Sequence, residues 1–128
     1  MIVDTSAILS IFFREDGFEG LVEKLANADL PGIGTPTLAE TGIVLEAKMG
    51  QEGKTLLERF LQEFDMQQIP FGEAHWREAV VAYRRFGKGR HEARLNFGDC
   101  LTYAVAKLAD QPLLFVGDDF TKTDIPQA

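Results

Sequence analysis

Short runs with strand character alternate with longer segments of helical periodicity along this 128-residue chain. Runs at 2–3 and 113–116 predict buried strands, 67–69 predicts a strand that ends abruptly at Pro70, and 31–34 predicts a turn with a brief strand. Apolar residues recur at helical spacing in the segments between them: 5–13, 17–29, 35–50, 51–66, 73–86 and 99–109. Such alternation is typical of an α/β fold with a mostly parallel sheet. We therefore expect an α/β fold, with residues 1–128 as a single domain.

Composition narrows the class of protein and its compartment. The hydrophobic and charged fractions, 45% and 26%, are ordinary for a soluble globular chain. The formal net charge of −7 does not favour a protein that coats duplex nucleic acid indiscriminately. The single cysteine, Cys100, excludes an internal disulfide and a cysteine-based zinc site. A reducing cytoplasm is the simplest compartment for a chain with one cysteine. The apolar run 8–13 lacks a basic leader and is too short to span a bilayer, so we expect no signal peptide and no membrane segment.

Carboxylates occur where the predicted elements begin or end. Asp4 and Asp118 directly follow predicted strands, and Asp119 stands next to Asp118, so these two form an acid doublet. Glu40 and Asp99 lie near predicted helix starts. Ligands of parallel α/β sheets bind beyond the carboxyl ends of the strands, so the fold can gather these acids at one edge. Oxygen ligands suit Mg²⁺ or Mn²⁺, which makes the acids a candidate site for metal-assisted attack on a phosphodiester.

Two of these acids also have a structural interpretation in the first half of the chain. Asp4 can be a helix-capping aspartate, although Thr5 and Ser6 already offer hydroxyl caps and could instead support a metal ligand. Glu40 closes a Thr-Leu-Ala-Glu segment that matches a capping box, in which the glutamate reaches back to the cap. The residues alone weigh capping and catalysis equally for Glu40.

The acids of the second half have structural alternatives as well. Asp99 can complement the dipole of a helix that Asn96 caps, whereas Gly98 beside it permits close approach to another element. Asp118 and Asp119 can form a polar turn. Asp118 lies nearest the strand end and is favoured as the fourth acid, with Asp119 as the alternative.

The segment 84–94 concentrates positive charge in an acidic chain. It holds five of the thirteen Lys and Arg residues and leads to Asp99. We expect Arg84, Lys88, Arg90 and Arg94 to contact RNA phosphates, the alternative being a solvated helix end and loop.

Four motifs in order resemble the PIN domain, and more narrowly the VapC-type toxins of bacterial toxin–antitoxin pairs. They are Met-Ile-Val-Asp-Thr-Ser-Ala at the start, a central Glu40 in a helix, Gly-Lys-Gly-Arg-His followed by Leu-Asn-Phe-Gly-Asp-Cys, and Leu-Leu-Phe-Val-Gly-Asp-Asp-Phe near the end. The resemblance extends from residue 1 to about residue 125. It implies a three-layer α/β/α sandwich around a short parallel sheet.

The resemblance also implies an activity and partners. It implies a Mg²⁺- or Mn²⁺-dependent endoribonuclease, self-association as a homodimer, a cognate antitoxin, and an RNA substrate that is often a tRNA or ribosomal RNA loop. Its acid cluster maps onto Asp4, Glu40, Asp99 and the Asp118/Asp119 doublet, with Thr5 or Ser6 as a supporting hydroxyl.

Two other functions compete with this interpretation. A receiver-like phospho-acceptor domain would require an acid pair after the first strand, and Asp4 stands without an adjacent acid. A catalytically inactive PIN-like module that binds RNA or an antitoxin would not need all four acids.

Overall fold

Six helices and four short strands alternate along the chain, and the computed structural model describes residues 1–128. In chain order the elements are β1 (Ile2–Val3), α1 (Thr5–Phe12), α2 (Phe18–Ala26), β2 (Gly32–Gly34), α3 (Thr35–Met49), α4 (Glu52–Glu63), β3 (Gln67–Ile69), α5 (Glu73–Phe86), α6 (Phe97–Ala109) and β4 (Leu113–Leu114). The predicted brief strand in 31–34 is β2, and the strand predicted at 113–116 is confined to its first two residues.

The four strands form one parallel sheet in the order β3-β2-β1-β4. Ile2 is paired with Gly32 on one side and with Leu113 on the other, so β1 lies at the centre. All four carboxyl ends therefore lie at the same edge. Asp4 directly follows β1 at that edge, and its N–H donates to the carbonyl of Leu114 at 2.9 Å.

Side chains alternate between the two faces of the sheet and divide the core in two. Ile2 and Leu113 pack into a cluster with α5 and α6. Val3 and Leu114 pack into a second cluster with residues of α1, α3 and α4. Helices thus cover both faces, as a parallel sheet requires, and the predicted three-layer α/β/α sandwich is confirmed.

The chain beyond β4 returns to the sheet. The N–H of Leu113 donates to the carbonyl of Pro126 and the N–H of Ala128 donates to the carbonyl of Leu113, each at 2.9 Å. Asp124, just before this return, accepts hydrogen bonds from Tyr103 at 2.6 Å and Lys107 at 2.9 Å. The C-terminal residues are therefore fixed against both β4 and α6.

The predicted basic connector is an ordered loop between α5 and α6. A single bridge joins Gly87 to Leu95, and the N–H of Lys88 donates to the carbonyl of Leu95. The loop reverses through left-handed backbone at Gly89 and Arg94. No helix of the chain combines the length and apolar character needed to cross a bilayer.

Candidate active site

Asp4 lies at the carboxyl end of β1 and is buried. It is the N-cap of α1, and its Oδ2 accepts hydrogen bonds from the Ser6 N–H at 3.1 Å and the Ser6 hydroxyl at 2.6 Å. The expectation that Thr5 or Ser6 caps this helix is wrong, because the helix begins one residue earlier, at Thr5. Asp4 Oδ1 accepts no hydrogen bond from the protein. No buried side-chain oxygen lacks a partner, so this atom is reachable from solvent.

Ser6 connects Asp4 to the other end of the chain. Its hydroxyl donates to Asp4 and accepts from the N–H of Val116 at 3.0 Å. The segment that follows β4 is thereby held beside the start of α1. Ser6 supports Asp4 both through its backbone and through its side chain.

Glu40 is held by a hydroxyl, not by a helix end. It is the sixth residue of α3, whose N-cap is Gly34 with no side-chain cap, so the capping-box alternative for Glu40 is wrong. Glu40 Oε1 accepts a hydrogen bond from Thr5 Oγ1 at 2.8 Å. The Thr5 hydroxyl also lies 3.0 Å from that of Thr41.

Threonine hydroxyls extend this contact into the core. Thr41 donates to the carbonyl of Thr37 at 2.7 Å, and the hydroxyls of Thr37 and Thr102 are 3.0 Å apart. Thr5, Thr37, Thr41 and Thr102 are all buried. Sequence reasoning missed the last three, because threonines inside a helix carry no local signal that they will meet across elements.

Asp99 is the third residue of α6 and forms a reciprocal cap with Asn96. Asp99 Oδ2 accepts from the Asn96 N–H at 3.0 Å, and the Asp99 N–H donates to Asn96 Oδ1 at 2.9 Å. Asp99 Oδ1 accepts no hydrogen bond from the protein. The expected close approach at Gly98 is confirmed: a Cβ there would lie 2.8 Å from Glu40 Oε2. Glycine therefore lets α3 and the start of α6 bring Glu40 and Asp99 to the same place.

The electrostatics of Asp99 identify the acids that share its surroundings. Burial raises the pKa of Asp99 to about 6 from its usual 3.8. The hydrogen bond from the Asn96 backbone opposes this rise, and repulsion from Asp119, Asp4 and Glu40 adds to it. Of the Asp118/Asp119 doublet, Asp119 is thus the member whose charge acts on Asp99.

A polar depression of about 410 Å³ adjoins the acids. Lys88, Arg94 and Lys122 line it together with residues next to or within the acid cluster: Asn96, Asp118 and Asp119. Positive charge therefore lies beside Asp118 and Asp119, with Glu92 also in the lining, and Lys88 and Arg94 are two of the four residues predicted to contact RNA phosphates. Lys122 was missed, although its position three residues after the acid doublet was a usable signal.

The other two predicted basic residues lie farther along the surface. Arg90 lines a neighbouring depression with Lys88 and Arg94, and its guanidinium lies over the ring of Tyr83 at 5.3 Å. Arg84 is exposed on α5 and lines neither depression. The structure therefore groups Lys88, Arg90 and Arg94 around one depression, and Arg84 is not part of its lining.

The acids suit a hydrated divalent cation better than a cation enclosed by protein ligands. No three His, Cys, Asp or Glu side chains are arranged to hold a metal ion together. Mg²⁺ commonly keeps several waters and is held by only one or two carboxylates. The unbonded oxygens of Asp4 and Asp99, with Glu40 nearby, provide such a donor set, so the residues present fit Mg²⁺ or Mn²⁺.

Known proteins match this chain over nearly its whole length. The family described as PIN domain matches residues 1–126. Ribonuclease VapC36 of Mycobacterium tuberculosis is 46% identical over 126 residues, which cover 98% of this chain and 91% of the relative.

Two solved structures share the fold. The crystal structure of VapC20 of Mycobacterium tuberculosis, described as a sarcin-ricin loop cleaving toxin, has a TM-score of 0.79 at 17% identity and covers 99% of this chain and 97% of the other. A toxin–antitoxin complex from Klebsiella pneumoniae has a TM-score of 0.73 at 16% identity, covering 96% and 92%.

Proposed function

Because this chain belongs to the PIN domain family and its curated relatives are named VapC ribonucleases, we propose that it is a metal-dependent endoribonuclease and the toxin of a toxin–antitoxin pair. One observation carries the proposal. Asp4, Glu40 and Asp119 all act electrostatically on Asp99 at the edge where the strands end. Clustered carboxylates of this kind are most useful beside a hard cation.

The chain's own residues have distinct roles in this proposal. Asp4 and Asp99 would hold the cation, since their capping bonds leave one carboxylate oxygen of each free. Glu40 and the fourth acid orient water, and the Thr5 hydroxyl fixes the position of Glu40. Mg²⁺ or Mn²⁺, when bound, supplies Lewis-acid polarisation of the phosphodiester and a water of lowered pKa. Ser6 keeps Asp4 in place by its two hydrogen bonds.

We assign the fourth acid to Asp119. Asp118 was favoured from its place next to the strand, but of the two only Asp119 joins Asp4 and Glu40 in the repulsion that adds to the effect of burial on the pKa of Asp99. Both carboxylates line the depression shared with Lys88 and Lys122. Asp118 is thus the natural matched control for Asp119.

RNA phosphates are the proposed ligands of the basic residues. Lys88 and Arg94, with Lys122 added, lie beside the acids, and Arg90 extends the surface. Arg84 would contact only RNA that extends along α5. A tRNA or ribosomal RNA loop is the proposed substrate, in keeping with the description of the VapC20 structure.

We further propose protein partners for this chain. A cognate antitoxin is supported by the toxin–antitoxin complex among the structural neighbours. Self-association as a homodimer follows from the family resemblance. A cytoplasmic location fits a toxin whose substrate is cellular RNA.

The test is a cleavage assay on total RNA with Mg²⁺ or Mn²⁺, with and without a chelator. We expect cleavage that the chelator abolishes. Asp119→Asn should lower the rate by about 10²-fold, the scale of losing one strong transition-state stabiliser, whereas Asp118→Asn should stay near the wild-type rate. Undiminished cleavage in chelator would exclude metal dependence, and the reverse order of the two variants would reassign the fourth acid. RNA binding without cleavage would instead indicate an inactive PIN-like binding module.

A further inference from the structure

Phe97 has the most exposed of the chain's large apolar side chains. Its relative exposure is 80%, whereas Leu95, two residues before it, and Cys100, three residues after it, are buried. A single exposed apolar side chain is common on protein surfaces and by itself indicates nothing. The position of this ring relative to the acids is what distinguishes it.

The start of α6 does not require the ring of Phe97. Asn96 and Asp99 satisfy each other's backbone N–H groups in the reciprocal cap. Leu95 and Cys100 occupy the two positions whose apolar contact commonly secures a capped helix start, and both are buried. A polar residue at position 97 would leave both the reciprocal cap and the apolar pair in place.

Phe97 lies beside Glu40 and directly follows a residue that lines the basic depression. Phe97 and Gly98 line a small cleft with Glu40, Pro36 and Leu101. Asn96, the residue before Phe97, lines the depression that holds Lys88, Arg94 and Lys122. A strand that extends from those cations to Glu40 therefore runs close to the ring.

We propose that Phe97 is a stacking platform for the base of an unpaired nucleotide next to the scissile phosphodiester. This inference rests on the proposed ribonuclease function and specifies its substrate class. An aromatic ring can accept a base only where that base has left the stack of a helix, so the platform selects loops and single strands over duplex. Phenylalanine offers no hydrogen-bonding group, and every base has a π-face, so the platform tolerates any base identity.

The test compares Phe97→Ala with Phe97→Trp, which keeps an aromatic surface, and with Leu30→Ala as a matched control. Leu30 is 57% exposed and lines a different depression, which lies beside the amino ends of the strands. The substrate is a hairpin RNA whose loop cleavage site has first been mapped with the wild-type chain. Thermal unfolding of each variant verifies folding.

We expect Phe97→Ala to lower kcat/KM on the hairpin by about 10-fold, mainly through KM, since stacking of one base on an aromatic ring has an effect of that order. Phe97→Trp should retain most of the wild-type kcat/KM, and Leu30→Ala should have the wild-type kcat/KM. A fully paired duplex of the same sequence should be a poor substrate for the wild type. Phe97→Ala should not change the kcat/KM on this duplex.

A second readout does not depend on turnover. The hairpin carries 2-aminopurine at the nucleotide on either side of the scissile bond, in metal-free buffer. Binding of the wild-type chain should quench its fluorescence by stacking, and Phe97→Ala should lose this quenching while still binding the RNA.

Distinct outcomes would overturn the platform and the proposed function. A wild-type chain that cleaves no RNA would refute the function itself. A wild-type chain that cleaves while Phe97→Ala retains full kcat/KM and full quenching would refute the platform alone. A change in sedimentation of Phe97→Ala with unchanged kcat/KM would identify the ring as a protein contact and would likewise refute it.

Discussion

Asp4 and Asp99 each use one carboxylate oxygen to cap a helix and leave the other free of protein hydrogen bonds. Structural and chemical roles are therefore not alternatives for these residues. The cap fixes the carboxylate in a single orientation without consuming its capacity to bind a cation. Only Glu40 depends on a tertiary contact, with Thr5, for its position.

The raised pKa of Asp99 predicts that Asp99→Asn stabilises the metal-free protein, and that the gain in free energy of unfolding depends on pH. The folded pKa, about 6, exceeds the usual 3.8. The protonated carboxyl therefore favours the folded state fully below pH of about 3.8, and this advantage is lost as pH rises through 6. Asparagine keeps an oxygen that can accept from Asn96 but carries no charge. We expect a gain of about 1 kcal/mol at pH 7.5, after discounting for solvent screening of a half-buried group, and little gain near pH 4.

Thermal unfolding at the two pH values measures this difference. A gain of about 1 kcal/mol corresponds to a rise in Tm of about 4 °C for a domain of this size. The same stability change at both pH values would mean that packing, not charge, is altered. The same variant should lose RNA cleavage, since it lacks one negative oxygen donor of the proposed site.

At the scale of elements, glycines set how closely the helices approach. Gly98 admits Glu40 to the start of α6, and Gly53 admits the backbone of α3 to the start of α4. A Cβ at residue 53 would lie 2.7 Å from the backbone carbonyl carbon of Leu45 and from the N of Glu46. Backbone in a packed helix cannot move aside as a flexible side chain can.

Gly53→Ala and Gly20→Ala form a matched pair of helical substitutions. Alanine has the higher helix propensity in both cases, but space is open around Gly20. We expect Gly53→Ala to destabilise the fold by about 2 kcal/mol through overpacking, and Gly20→Ala to be neutral or to stabilise it by up to about 1 kcal/mol. Urea unfolding distinguishes the two. Equal effects would show that α3 and α4 can separate to accommodate a methyl group.

The α/β class was predictable from the sequence because burial on both sheet faces favours apolar strands such as β1 and β4 between amphipathic helices, and the three-layer order was implied by the family resemblance. The cap of α1 was not predictable, because Asp, Thr and Ser in succession are all good caps and only the backbone decides among them. The choice between Asp118 and Asp119 stays a prediction for a similar reason: both follow the end of β4, and the backbone of the turn decides where each side chain points. The hydroxyl chain through Thr41 depends on tertiary contacts that no local pattern encodes.

At the scale of the whole molecule, a chain of net charge −7 must attract a polyanion. Lys88 and Lys122 lie beside the acids and form no ion pair. Lys54, which is paired with Glu58, and Arg59 are exposed on α4 and carry the same charge away from this depression. Local placement of cations, not total charge, should therefore govern RNA binding.

Lys88→Ala/Lys122→Ala should weaken RNA binding and reduce its salt dependence. Each lost phosphate contact lowers the log–log slope by about 0.7 for single strands, so the double variant should lose about 1.4. Lys54→Ala/Arg59→Ala removes the same charge and should leave the slope unchanged. Binding titrations at several salt concentrations, in metal-free buffer, measure the affinity and the slope for each double variant. Equal losses in the two double variants would mean that only net charge matters.

The return of the C-terminal residues to β4 has a consequence for the edges of the sheet. Hydrogen bonds of Leu113 with Pro126 and Ala128 occupy one side of the edge strand that would otherwise be open to a foreign strand. At the opposite edge, β3 is only three residues long, carries Gln67 and Gln68, and ends before Pro70. Polar side chains, short length and a following proline all oppose strand addition. Both borders of the sheet are thus protected against aggregation by β-pairing, one by the chain's own tail and the other by its composition.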